Sequence, residues 1–121
     1  MKILLIDDVE LILKTFKQLL TQLGHDVVTA NSAQEGLDRF FKSPSCYRAI
    51  ITDIKMPGID GIEFAEILAF KGYLTPIIFT TGHAELPNSF GLAHSGVLYK
   101  PFKIGELLKL LDNIEQQHGL S

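Results

Sequence analysis

The chain has 121 residues, 46% of them hydrophobic and 21% charged. That length suits one globular domain with its own core, and the composition excludes a disordered chain. A formal net charge of −3 argues against a nucleic-acid-binding surface, and the single cysteine, Cys46, excludes an internal disulfide.

The opening KILLI, residues 2–6, is a continuous apolar run that reads as a strand and ends in two adjacent acids, Asp7 and Asp8. Leu13, Phe16, Leu20 and Leu23 predict a helix over 10–23, with Gly24 in the stop position. DVVTA, residues 26–30, is a second strand. Ser32 then starts a helix, with Glu35 three residues on as a capping box and Ala33, Leu37, Phe40 and Phe41 on the buried face. Pro44 and Ser45 break the chain, and Cys46 beside Tyr47 is expected to be an ordinary buried thiol.

AIIT, residues 49–52, is the third strand and leads into Asp53; MPGIDG after it is turn chemistry. A helix over 60–71 turns Ile62, Ala65 and Leu68 inward, and Gly72 ends it. PIIFT, 76–80, and VLY, 97–99, are the fourth and fifth strands. The last helix, 103–117, carries an apolar stripe of Ile104, Leu107, Leu108, Leu111 and Ile114. Acids arrive by position 7, and no apolar run approaches the roughly 20 residues that span a bilayer. A soluble, cytoplasmic protein is therefore expected.

Strands that are apolar throughout and alternate with helices indicate a parallel sheet covered on both faces, a doubly wound α/β domain. In such folds the functional site lies at the carboxyl ends of the strands, near the topological switch point. Here those ends carry Asp7-Asp8, Asp53, Thr80-Thr81-Gly82 and Lys100-Pro101. Clustered carboxylates raise one another's pKa, and a hard divalent cation such as Mg²⁺ resolves the conflict. A cation and a lysine beside a nucleophilic carboxylate suit phosphoryl transfer. Each residue also has a plainer reading. Asp53 could cap the following turn, Asp7 and Asp8 could favour a helix dipole, and Lys100 could be a solvated strand end. Their coincidence at one sheet edge favours the functional reading. His25, His94 and His118 have no ligand spacing with one another, and a lone His83 in a loop is ordinarily solvated, so no zinc site is expected.

The set Asp7-Asp8, DIKMPGIDG over 53–61, Thr81-Gly82 and Lys100-Pro101-Phe102 resembles the receiver domain of bacterial two-component response regulators, across essentially the whole chain. The resemblance implies a single chemotaxis-regulator-like domain over 1–121. Its fold would be flavodoxin-like, with five parallel strands in the order 2-1-3-4-5. It implies Asp53 as phosphoacceptor and Mg²⁺ held directly by Asp8 and Asp53, through water by Asp7, and by the backbone carbonyl of Lys55. Thr81 would hydrogen-bond the phosphoryl group, Lys100 would pair with it, and the Lys100–Pro101 bond would be cis. The donor would be a histidine kinase or phosphotransfer protein. Output would pass to an unknown protein, since no effector domain follows residue 121, with no direct nucleic-acid contact, no membrane insertion, and a monomer or weak dimer. The chain would be a signalling phosphoacceptor rather than an enzyme, assisting its own phosphorylation and dephosphorylation.

Two features depart from the family pattern. Val97 stands where receivers usually carry Tyr or Phe, and Tyr99 shares its strand face. The segment between Thr81 and Lys100 is short, and Pro87 and Gly91 oppose a long helix there, so the helix between the fourth and fifth strands should be short or irregular. Lys55 and His83 flank the expected phosphoryl position, and Lys55 is expected to affect how long the phosphoryl group persists. The alternatives are a phosphorylation-independent interaction module and an aspartyl-phosphate hydrolase of the haloacid dehalogenase type. The latter class carries Asp-x-Asp where this chain has adjacent acids. No Gly-rich phosphate loop follows the first strand, which counts against a nucleotide binder.

Overall fold

The computed structural model describes residues 1–82 and 94–119. In chain order the elements are β1 (Lys2–Ile6), α1 (Glu10–Gln22), β2 (Asp26–Ala30), α2 (Ala33–Lys42), a 3₁₀ turn (Pro44–Cys46) and β3 (Ala49–Asp53). Then come α3 (Gly61–Phe70), β4 (Ile77–Thr81), β5 (Gly96–Tyr99) and α4 (Ile104–Gly119). The strands form one parallel sheet in the order β2-β1-β3-β4-β5, the flavodoxin-like arrangement expected.

Strand alternation explains the two layers. Leu4, Ile6, Ile50 and Phe79 point to one face, where they meet Phe40 of α2 and Phe64 and Leu68 of α3. Ile3, Leu5, Ile51 and Ile78 point to the other, against Leu13 and Leu20 of α1 and Leu107 and Leu111 of α4. Both faces are covered, so the strands need no polar alternation. Each fully buried large side chain contributes roughly 1.5–3 kcal/mol of transfer free energy.

The helix ends follow local chemistry. The Ser32 hydroxyl accepts from the Glu35 amide at 3.1 Å, as expected of a cap. The returning arm differs: Glu35 accepts from Asn31 rather than Ser32, so the box closes one residue further out. The complete capping box belongs to α3, where Asp60 accepts from the Glu63 amide at 2.8 Å and Glu63 accepts from the Asp60 amide at 3.3 Å. After α1, Gly24 adopts φ +93 and the His25 amide reaches back to the Leu20 carbonyl, a left-handed cap that glycine adopts without strain.

Four expectations shift. Cys46 is exposed rather than buried, because Pro44 opens a 3₁₀ turn that carries it outward. Helix α3 begins at Gly61, so its buried stripe is Gly61, Phe64, Ala65 and Leu68, and Ile62 only packs against the core from its edge. Phe41 is likewise partly buried. Strand β4 starts at Ile77 and ends at Thr81, one residue later than expected. Pro76 has no amide to give the ladder and offers only its carbonyl, which accepts from Ile50 at 2.9 Å. The expected short or irregular helix before β5, and His83, lie outside the described residues. Among the described residues no helix is long and apolar enough to cross a membrane.

Candidate functional site

The strand order reverses around β1, which places β1 beside β3. Ile6 pairs with Thr52, so the next residues, Asp7 and Asp53, leave the sheet side by side, about 4.8 Å apart along the hydrogen-bonding direction. Asp53 pairs with Thr80, and Thr81 pairs with Tyr99. Lys100, the residue after Tyr99, is tied back by its amide to the Thr81 carbonyl at 2.7 Å. Pairing register therefore gathers residues that the sequence scatters over nearly a hundred positions.

The acids are unequally exposed. Asp7 is 2% and Asp53 7% accessible, whereas Asp8 is exposed. Oxygens of all three lie within 4.8 Å of one another. Asp7 Oδ1 accepts from the Val9 amide at 2.9 Å, which orients the carboxylate. Its Oδ2 accepts from Lys100 Nζ at 2.9 Å, and the same ammonium donates to Asp53 Oδ2 at 3.3 Å. The lysine thus bridges two buried carboxylates, with charge-assisted bonds to both.

One ammonium does not balance three carboxylates. Burial pushes the Asp53 carboxyl above its ordinary value; the Lys100 charge pulls it back, and Asp7 and Asp8 push it up again, leaving it raised. For Lys100, burial alone would lower the ammonium, but the hydrogen bond to Asp7 and the charges of Asp7 and Asp53 outweigh it and leave it raised. An all-oxygen donor set with excess negative charge fits a hard divalent cation of the magnesium type.

Supports that the sequence reading did not assign hold Asp53 in place. Thr52 Oγ1 donates to the Asp53 carbonyl at 3.0 Å, and the Ile54 amide donates to the Thr80 carbonyl at 2.9 Å. Gly61 donates to the Ile54 carbonyl at 2.7 Å, and a Cβ on Gly61 would overlap the Asp53 carbonyl oxygen. The Asp-Gly pair opening α3 was the available signal, since glycine permits such a close approach. Beside Lys100, the cis Lys100–Pro101 bond turns the chain, and Phe102 stacks on Phe16 of α1 at 5.3 Å.

Of the residues singled out from sequence, Asp7, Asp8, Asp53 and Lys100 converge. Thr81 is buried at the neighbouring strand end. Lys55 lies in the turn after β3 with its side chain exposed, outside the charge cluster. Val97 packs partly buried against the α2–α3 side of the core, while Tyr99 on the same strand face is about half exposed.

This sheet order, with three acids and a lysine at its switch point, defines a receiver-type domain. The response regulator receiver domain family matches residues 3–112, and the chain belongs to that family. It is 33% identical over 110 residues to the transcriptional regulatory protein CrdR of Helicobacter pylori, covering 88% of this chain and 51% of CrdR. It is 32% identical over 98 residues to nodulation protein W of Bradyrhizobium diazoefficiens, covering 78% of this chain and 42% of that protein. The chain thus spans no more than about half the length of these curated relatives. Among solved structures, a response regulator receiver domain protein of Clostridium thermocellum superposes with a TM-score of 0.89 at 32% identity, covering 98% of this chain and 97% of that one. The response regulator TrrA of Thermotoga maritima, solved in complex with Mg(2+)-BeF, gives 0.84 at 30% identity, covering 93% and 97%.

Proposed function

We propose that the domain, taken as residues 1–121, accepts a phosphoryl group on Asp53 from the phosphohistidine of a histidine kinase or phosphotransfer protein, with Mg²⁺, and alters a protein-binding surface in response. The observation that carries this reading is the mutual approach of the Asp7, Asp8 and Asp53 oxygens within 4.8 Å beneath a lysine bonded to Asp53. Likeness to a receiver solved with Mg(2+)-BeF supports it.

In the step, an Asp53 oxygen forms a bond to phosphorus as the donor's P–N bond breaks; the imidazole nitrogen keeps the electron pair and takes up a proton. Lys100 already touches Asp53 Oδ2, so an incoming phosphoryl oxygen meets an ammonium held in place by Asp7. Thr81 offers a hydroxyl at the adjacent strand end. Asp8, Asp53 and the Lys55 carbonyl would hold Mg²⁺, with Asp7 reaching it through water. When bound, the ion would balance the excess carboxylate charge and draw charge from the phosphoryl oxygens. The exposed Lys55 side chain would influence loss of the phosphoryl group by shielding it from water.

The test is labelling by acetyl phosphate with and without Mg²⁺, on the wild type and Asp53→Ala. Mg²⁺-dependent labelling that vanishes in Asp53→Ala is expected. Persistent labelling of the variant would overturn the assignment.

A further inference from the structure

At the opposite end of the sheet the chain forms a cleft of about 530 Å³, lined among others by Pro44, Tyr47, Arg48, Tyr73, Leu74 and Pro76. Among the described residues, Arg48 is the one charge in that lining, and no acid joins it. Two more cations stand beside the same aromatic bed. Lys2 Nζ lies 5.4 Å from the Tyr47 ring centroid, and Lys71 Nζ lies 5.6 Å from that of Phe41, whose ring is 5.8 Å from Tyr73. Among the described residues none of Lys2, Arg48 and Lys71 forms a salt bridge. Arg48 and Lys71 therefore stand without a salt-bridge partner among the described residues, while Lys2 has the exposed Asp26 beside it across the β1–β2 register.

Apolar surface accompanies the charge. Leu74, on the cleft wall, is 94% accessible, and Phe70 at the end of α3 is 93% accessible. Leu74 in one lining with Arg48, Tyr47 and Tyr73 joins exposed apolar surface to charge, which marks an interaction surface more than ordinary scatter. Cations interspersed with aromatic and leucine surface suit a peptide that carries both acids and an apolar anchor.

We propose that this cleft binds an acidic peptide segment of a partner protein, with an aromatic or leucine anchor against Tyr47, Tyr73 and Leu74 and carboxylates facing Arg48, Lys2 and Lys71. The site opens where the chain enters β3 and β4, whereas Asp53 ends β3, about 17 Å along the strand. Binding here is therefore compatible with an unmodified or a phosphorylated Asp53, and the partner is held in either state.

The experiment selects a displayed library of random linear peptides on the immobilised full chain, then measures resynthesised binders by fluorescence polarisation. Enriched sequences should carry an apolar anchor flanked by Asp or Glu. They should bind at least about tenfold more weakly to Arg48→Glu and to Leu74→Asp, and equally well to Asp53→Ala. Both cleft variants change exposed side chains, so circular dichroism should report an unaltered fold. No enrichment, enrichment without acidic residues, or binders indifferent to both cleft variants would overturn the proposal. So would self-association of the chain, or retention on anionic vesicles, that Leu74→Asp abolishes.

Discussion

At their carboxyl ends β1 and β3 deliver Asp7 and Asp53 into a buried, acid-rich site; at their amino ends the same two strands carry Lys2 and follow Arg48, beside stacked rings. Phe40 meets Phe41, Tyr47 and Tyr73 with centroids 5.1–5.7 Å apart, and its side chain is fully buried. One end assembles apolar area and favourable ring contacts; the other removes charge from water with one lysine as partial compensation. Stability and reactivity are thus separated along the strands. Apolar packing dominates one end, and an electrostatically unfavourable constellation, held by local hydrogen bonds of Thr52, Ile54 and Gly61, occupies the other.

Emptying the aromatic end should have the largest effect. Phe40→Ala should lower the unfolding free energy in urea by about 3–5 kcal/mol. A loss under about 1 kcal/mol would mean that this end is not the anchor of the fold.

Gly61→Ala comes next, because it drives a methyl into the Asp53 backbone. It should cost about 1–3 kcal/mol and slow acetyl-phosphate labelling as well, because stability and reactivity meet at the Asp53 backbone. Normal labelling in the folded variant would show that Asp53 tolerates the displacement.

Asp53→Asn should act in the opposite direction. Burial raises the folded-state pKa of Asp53, so the fold favours the protonated form. That contribution is complete below the unfolded value, near 3.8, and is lost as pH rises through the folded value. At neutral pH the ionised carboxylate opposes folding. In chelator, the variant should therefore melt higher than the wild type at neutral pH. The gap should narrow as pH is lowered toward about 4. Thermal melts across that range check it; a variant that melts lower at neutral pH would remove the contrast between the two ends.

The smallest effect belongs to Leu74→Asp. Its side chain is almost wholly solvated, so stability should stay within about 0.5 kcal/mol and Asp53 labelling should be unchanged. A larger loss in urea unfolding would make Leu74 part of the aromatic anchor rather than a surface feature.

Much of this was legible in the residues themselves. KILLI and DVVTA form strands over the expected limits, because an unbroken apolar run bounded by acids or turns leaves few alternatives. Asp7, Asp8, Asp53 and Lys100 could be nominated because parallel strands put their carboxyl ends on one edge. Other features were not legible. Cys46 looked like a buried thiol until the Pro44 turn set its direction, and α3 showed its true face only once Asp60 became the cap and Gly61 the first helical residue.

Local pattern alone sets which segments are strands or helices, which faces are apolar and which acids end the strands, since these depend on neighbours a few positions away. It takes the assembled fold for Lys100 to reach both Asp7 and Asp53, for Gly61 to lie against the Asp53 carbonyl, and for Arg48 to share a cleft with Leu74. Those relations depend on strand register and helix docking between segments distant in the chain. They are set by how two apolar layers close on the sheet, a global packing condition that no local pattern encodes.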